Sequence, residues 1–122
     1  MPSSNISKGK FGEDITCEYL LLHNYEVLER NYRNRYGEID IIAKKGELIC
    51  FVEVKTRTSE DFGRPSEAVN YTKQQKIKNL ASYYLTKFPD FSARLDIAEV
   101  LVHKTKLGYQ IDEFNYIENA FI

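Results

Sequence analysis

The chain has 122 residues, a net charge of -1 and a composition that is 43% hydrophobic and 29% charged, enough for one packed core and unlike a disordered segment. Its opening "MPSSNISKGK" is polar, and no later run approaches the roughly 18 to 20 apolar residues that span a bilayer. A single domain over residues 1–122, cytoplasmic and with no membrane contact, is the expectation. Cys17 and Cys50, with His23 and His103, are too few and too scattered for a zinc site, and both cysteines read as reduced core residues.

Helical spacing predicts a first helix from about Ser7 to Asn24. Phe11, Ile15 and Leu22 form one apolar stripe, and Cys17 and Leu20 a second on another side, so this helix should pack on more than one face. Glu13 lies on the second stripe, with Gly9 and Gly12 nearby leaving room for a close approach. It reads either as a site carboxylate or as a first-turn residue favoured by the helix dipole.

Three strands follow, at about 25–33, 36–44 and 47–56, with Asn34 and Lys45-Gly46 marking tight turns of an antiparallel meander. Alternation puts Ile49, Phe51, Glu53 and Lys55 on one face of the third strand, and Glu38, Asp40 and Ile42 on one face of the second. Facing residues in an antiparallel pair have numbers that add to a constant. A two-residue loop at Lys45-Gly46 gives 91 and a four-residue loop gives an odd constant too; either register puts Asp40 on the face of Glu53 and Lys55, with Glu38 or Asp40 opposite Glu53. A three-residue loop would separate them.

Two carboxylates facing each other across a strand pair repel, so the arrangement calls for a cation. Hard carboxylate oxygens with water and a backbone carbonyl suit Mg²⁺ (or Mn²⁺), which also takes phosphate oxygens as ligands. Lys55 would then orient the attacking water or stabilise charge on a phosphate. The bland reading of E-x-K is a Glu/Lys ladder on a half-exposed sheet face.

Next comes the polar loop "TSEDFGRPS", residues 58–66, placed where the E-x-K strand ends; Arg57 and Arg64 are candidate phosphate contacts. A second helix opens at a Thr72-x-x-Gln75 capping box and buries Ile77, Leu80, Ala81, Tyr84, Leu85 and Phe88. Lys73 sits in its first turn, where a cation is disfavoured unless an anion such as phosphate joins it. "SARLDIAEVLV" returns as a strand parallel to the E-x-K strand through a β-α-β crossover, and "GYQIDEF" closes the sheet. Asp96 reads as the partner of Arg94 or of a neighbouring strand. Tyr116, Ile117, Phe121 and Ile122 make an apolar tail that covers a sheet edge or a second subunit. Basic charge is concentrated between Arg30 and Lys78, where eleven Lys/Arg face seven Asp/Glu, as expected of a positive rim around the carboxylates.

The blocks "GKFGEDITCEYL", "RNYRNRYGEIDIIA", "CFVEVKTR", "FGRPSEAVNYTKQQKI" and "ARLDIAEV", in this order over roughly residues 8–103, resemble the YraN-like family of small bacterial proteins. That family is regarded as distantly related to archaeal Holliday-junction resolvases in the restriction-endonuclease-like, PD-(D/E)xK superfamily. The resemblance implies an α/β fold, a mixed sheet of about five strands flanked by helices in the order α-β-β-β-α-β-β. It also implies Mg²⁺-dependent endonuclease action on DNA, in particular branched or damaged DNA. By resemblance Glu13, Asp40 and Glu53 hold the metal, Lys55 assists the attacking water, and Lys73 matches a family lysine. Resolving a junction takes two cuts, which implies a homodimer. Ile39 stands where the superfamily pattern has proline, and no histidine or Q-x-x-x-Y block accompanies the lysine, unlike RecB-like exonucleases. The alternative is a nuclease-like domain that binds nucleic acid or a repair partner without cutting.

Overall fold

The computed structural model describes residues 6–59 and 71–120. Ser7 caps the first helix, α1 (Lys8–Leu22), its hydroxyl accepting the Lys10 N–H at 3.1 Å. Three strands follow, β1 (Glu26–Asn34), β2 (Gly37–Lys45) and β3 (Leu48–Thr58), then α2 (Tyr71–Tyr84) with a short 3-10 turn (Leu85–Lys87), β4 (Ser92–Thr105) and β5 (Gly108–Ile117). The sheet runs β1-β2-β3-β4-β5; β3 and β4 are parallel and every other pair is antiparallel. This is the α/β architecture the sequence implies, and the parallel step is the one made by the crossover through α2. Among the described residues no helix is long and apolar enough to cross a membrane.

The helices cover opposite faces of the sheet. On one side Ile39, Ile42, Ile49 and Phe51 pack with Ile77, Leu80, Ala81 and Tyr84 of α2. On the other, Ile41, Ala43, Cys50, Val52 and Ala98 pack with Cys17 and Leu20 of α1. Buried on both faces, β3 can be apolar at consecutive positions from Ile49 to Val52, which is why its sequence lacks the polar alternation of a half-exposed strand. Both cysteines are buried and reduced.

Three details depart from the sequence reading. The β2–β3 turn is Gly46-Glu47, with Gly46 at φ 58°, so Lys45 pairs with Leu48 and the register constant is 93. The constant stays odd, and the expected parity holds. Leu22 is 80% exposed and takes no part in the core; the line of α1 that meets the sheet is Gly12, Thr16, Cys17 and Leu20. The third departure concerns α2, which is already helical at Tyr71, so Thr72 lies within the helix and does not cap it. Arg64, Phe121 and Ile122 fall outside the described residues.

Gly12 sets how closely α1 approaches the sheet. A β-carbon there would run into the Thr56 side chain, whose hydroxyl is buried without a hydrogen-bond partner among the described residues. Gly12→Ala is therefore expected to destabilise the fold by about 1–3 kcal/mol in urea titration, and Thr56→Ala in the same chain should recover part of the loss.

Asp96 of β4, in register with Val52 of β3, is fully buried. It accepts from Arg94 Nε at 2.9 Å, Tyr116 Oη at 2.6 Å and the Asn119 N–H at 2.9 Å, while Arg94 also donates to Tyr25 Oη at 2.6 Å. The ion pair expected with Arg94 is present, and it ties the chain after β5 to β4. With Tyr116 stacked on Tyr19 of α1 at 4.9 Å, the last described residues fold back onto their own domain. Removing one partner of such a network strands a buried charge, so Asp96→Ala should cost about 3–5 kcal/mol by chemical denaturation.

Candidate functional site

The two ladders flanking β2 are interrupted at one residue. Pairing with β3 stops at Ile41–Val52, and on the other side Asn31 of β1, opposite Asp40 by count, adopts φ 51°. Strict alternation would put Ile39 and Ile41 on one face; instead Ile39 joins the α2 core and Ile41 the α1 core. The strand twists through Asp40, which occupies the gap. Its Oδ2 accepts the Val54 N–H at 2.7 Å, replacing the backbone carbonyl that a continued ladder would have offered.

The register, extended one step, sets Asp40 opposite Glu53, and the two carboxyl groups are in hydrogen-bonding contact. Burial, then this contact with Glu53, and the negative charges of Glu53 and Glu13 push Asp40 up to about 7, against a single lowering influence from the Val54 N–H. Glu53 is itself 8% exposed and lies on the α2 side, where Lys73 Nζ meets its Oε2 at 2.6 Å. The cation in the early turn of α2 is thus balanced by a carboxylate from the sheet.

Glu13 approaches from the α1 side. It lies past the first turn of the helix, so the dipole does not account for it, and it meets Arg30 Nη2 at 3.5 Å, which also donates to Asp14 at 2.8 Å. The structure therefore brings Asp40 and Glu53 together and places Glu13 within electrostatic reach of Asp40 but on Arg30. Among the described residues no three His, Cys, Asp or Glu side chains form a group able to hold a metal.

Lys55, two residues beyond Glu53, is in register with Glu99 of β4. With Arg57, Glu99 and Glu113 it lines a small pocket of about 100 Å³. The E-x-K pair thus spans two neighbourhoods, Glu53 facing Lys73 and Lys55 facing Glu99. The sequence reading did not single out Glu99, Asn31 or the cations of the β1–β2 hairpin. The repeat Arg33-x-Arg35 points to those cations, and the Lys73/Lys76 spacing, which places both on one helix face, adds Lys76 to them.

A sequence profile settles the family. Residues 12–100 match that of the uncharacterised protein family UPF0102. The chain belongs to UPF0102. Similar proteins of this family include one from Alkaliphilus metalliredigens, 46% identical over 117 residues, covering 94% of this chain and 97% of the relative. One from Thermodesulfovibrio yellowstonii is 44% identical over 119 residues (97% and 98%), and one from Dictyoglomus thermophilum is 46% identical over 120 residues (97% and 99%). The UPF0102 match takes in Glu13, Asp40, Glu53, Lys55 and Lys73.

The Asp40–Glu53 contact has a consequence for stability. In the unfolded chain Asp40 ionises near 3.8, whereas in the fold it keeps its proton to about 7. Between these values the native state binds more protons than the unfolded one, so the metal-free protein should lose stability as pH rises from about 4 to about 7, by at most ~1.4 kcal/mol per pH unit. Denaturation of wild type and Asp40→Asn across this range checks it; the variant should show the flatter profile.

Proposed function

We propose that this UPF0102 protein is a metal-dependent endonuclease that hydrolyses DNA phosphodiester bonds, acting on branched or damaged DNA. The observation that carries this reading is the pair of contacting carboxyl groups, Asp40 and Glu53, held at a break in the sheet with Lys73 on Glu53. Like charges forced together are stable only with a proton or a cation between them, and the donors are hard oxygens. Two carboxylates, with water, a backbone carbonyl and phosphate oxygens, suit Mg²⁺ or Mn²⁺, which commonly binds through one or two carboxylates and its substrate.

Asp40 and Glu53, with Glu13 from α1, would hold the ion. Such an ion, when bound, supplies a Lewis acid and a water acidified toward neutrality. Val54 keeps the Asp40 carboxylate in the plane of the sheet, so one oxygen is fixed and the group cannot swing away from Glu53. Lys55 would orient the attacking water or stabilise charge on the phosphate, with Glu99 beside it in register on β4. Arg57 at the end of β3, Arg64 and Lys73 are the proposed phosphate contacts. Two cuts in a branched substrate need two sites, so a homodimer on DNA belongs to the same proposal.

A second reading, a nucleic-acid-binding or repair-partner-binding domain that does not cut, is favoured by one observation. Lys73 already sits on Glu53 at 2.6 Å and supplies a positive charge without a metal.

A cleavage panel of duplex, single-stranded, flap and four-way-junction DNA with Mg²⁺ or Mn²⁺ distinguishes the two. Nicking that EDTA abolishes, and that falls at least ~100-fold in Asp40→Asn, Glu53→Gln and Lys55→Ala, is the expected result. No cleavage of any substrate, together with DNA affinity unchanged in these variants, would establish the non-cutting domain.

A further inference from the structure

An open concavity shares Lys73 with the carboxylate pair. It is a groove of about 730 Å³ between the β1–β2 turn and the early turns of α2, lined by Arg33, Arg35, Tyr36, Lys73 and Lys76 among others. It carries four cationic side chains and one carboxylate, Glu38, which Arg33 engages at 2.7 Å. Neither Arg35 nor Lys76 has a carboxylate partner among the described residues. On a chain whose net charge is -1, this concentration is local, and it favours a polyanion.

The aromatic groups narrow the choice of polyanion. The Arg35 guanidinium lies 5.0 Å from the centre of the Tyr36 ring and 5.9 Å from that of Tyr83, and the two rings are 6.0 Å apart at 55°. Tyr83 is 50% exposed. These are planar surfaces of the kind on which nucleobases stack, and Arg adds a cation–π contribution. A base within a duplex has both faces covered by its neighbours and cannot use them. A strand with unpaired bases can.

We propose that this groove binds a DNA strand with unpaired bases, its phosphates on Arg35, Lys73 and Lys76 and a base against the Tyr36–Arg35–Tyr83 surface. Lys73 belongs both to the groove and to the Glu53 contact, so a strand lying here leads directly to Asp40 and Glu53. Only this last point, where the strand leads, rests on the nuclease reading; binding itself does not.

The test is fluorescence anisotropy in EDTA, so that nothing is cut, with the full chain and labelled single-stranded and duplex DNA of one sequence. Single-stranded DNA should bind at least tenfold more tightly than duplex. The double variant Arg35→Glu with Lys76→Glu should weaken single-strand binding more than tenfold and flatten the salt dependence by about 1.4 in log–log slope, the share of two phosphate contacts. Tyr83→Ala should weaken it about tenfold with the slope unchanged. Should the double reversal impair folding, seen as a lowered melting temperature, Arg35→Gln and Lys76→Gln singly replace it, each expected to reduce the slope by about 0.7.

Equal affinity for duplex, or single-strand affinity unchanged in well-folded groove variants, overturns the proposal. Asp40→Asn separates the two readings. If it and the wild type bind single strands alike but the wild type cuts nothing with Mg²⁺ or Mn²⁺, the groove stands and the nuclease falls. If the groove variants cut with unaltered KM, the groove falls and the nuclease stands.

Discussion

The hydrogen bond from the Val54 N–H to Asp40 Oδ2, 2.7 Å long, is the contact on which the site depends. A buried N–H at the point where a ladder ends must find an acceptor or cost the fold roughly 1–3 kcal/mol. Here a side chain supplies the acceptor, so β2 can leave β3 without stranding the donor. The parting of the strands makes room for a carboxyl in the plane of the sheet, and the same bond fixes that carboxyl against Glu53. Asn31 accommodates the break from the other side by taking a left-handed conformation, which Asn tolerates better than most residues.

Around that point the charges come from different layers. Glu13 and Arg30 stand on the α1 side, Glu53 and Lys73 on the α2 side, and Asp40 lies between them. Each helix therefore brings a charged group to the break, and Gly12 lets α1 come close enough to do so. The two helices are fixed by independent cores, so the alignment of the carboxylates is set by packing on both faces of the sheet.

The chain holds a second inward-facing aspartate, and the contrast is informative. Asp96 is met by a guanidinium, a phenol and a backbone N–H, so its charge is fully compensated where it stands. Asp40 has one backbone donor and a second carboxyl pressed against it. The first arrangement is complete as a structural tie. Asp40 is left wanting a proton or a cation, which is the usual mark of a group arranged for binding or chemistry.

Much of this was legible in the residues. The strands, the odd register and hence the meeting of Asp40 with Glu53 follow from hydrophobic alternation and a short turn, because a period of two leaves few options once one face is buried. The turn itself lay one residue later than its Lys-Gly pair suggested, since Gly46 serves as its first residue equally well. The Arg94–Asp96 pair was readable because the two side chains lie two apart on one strand face. What the sequence could not decide was the break at Asp40: alternation assumes a continuous ladder, and only the competition of Val54 for an acceptor, with Ile39 and Ile41 drawn into opposite cores, divides the strand there. Nor could it assign the cations. Lys73 on Glu53, Arg30 on Glu13 and Lys55 beside Glu99 join residues far apart in the chain or on neighbouring strands. Long flexible side chains carry no periodic signature of their partners; only the packed positions of α1 and α2 on the sheet determine which carboxylate each can reach.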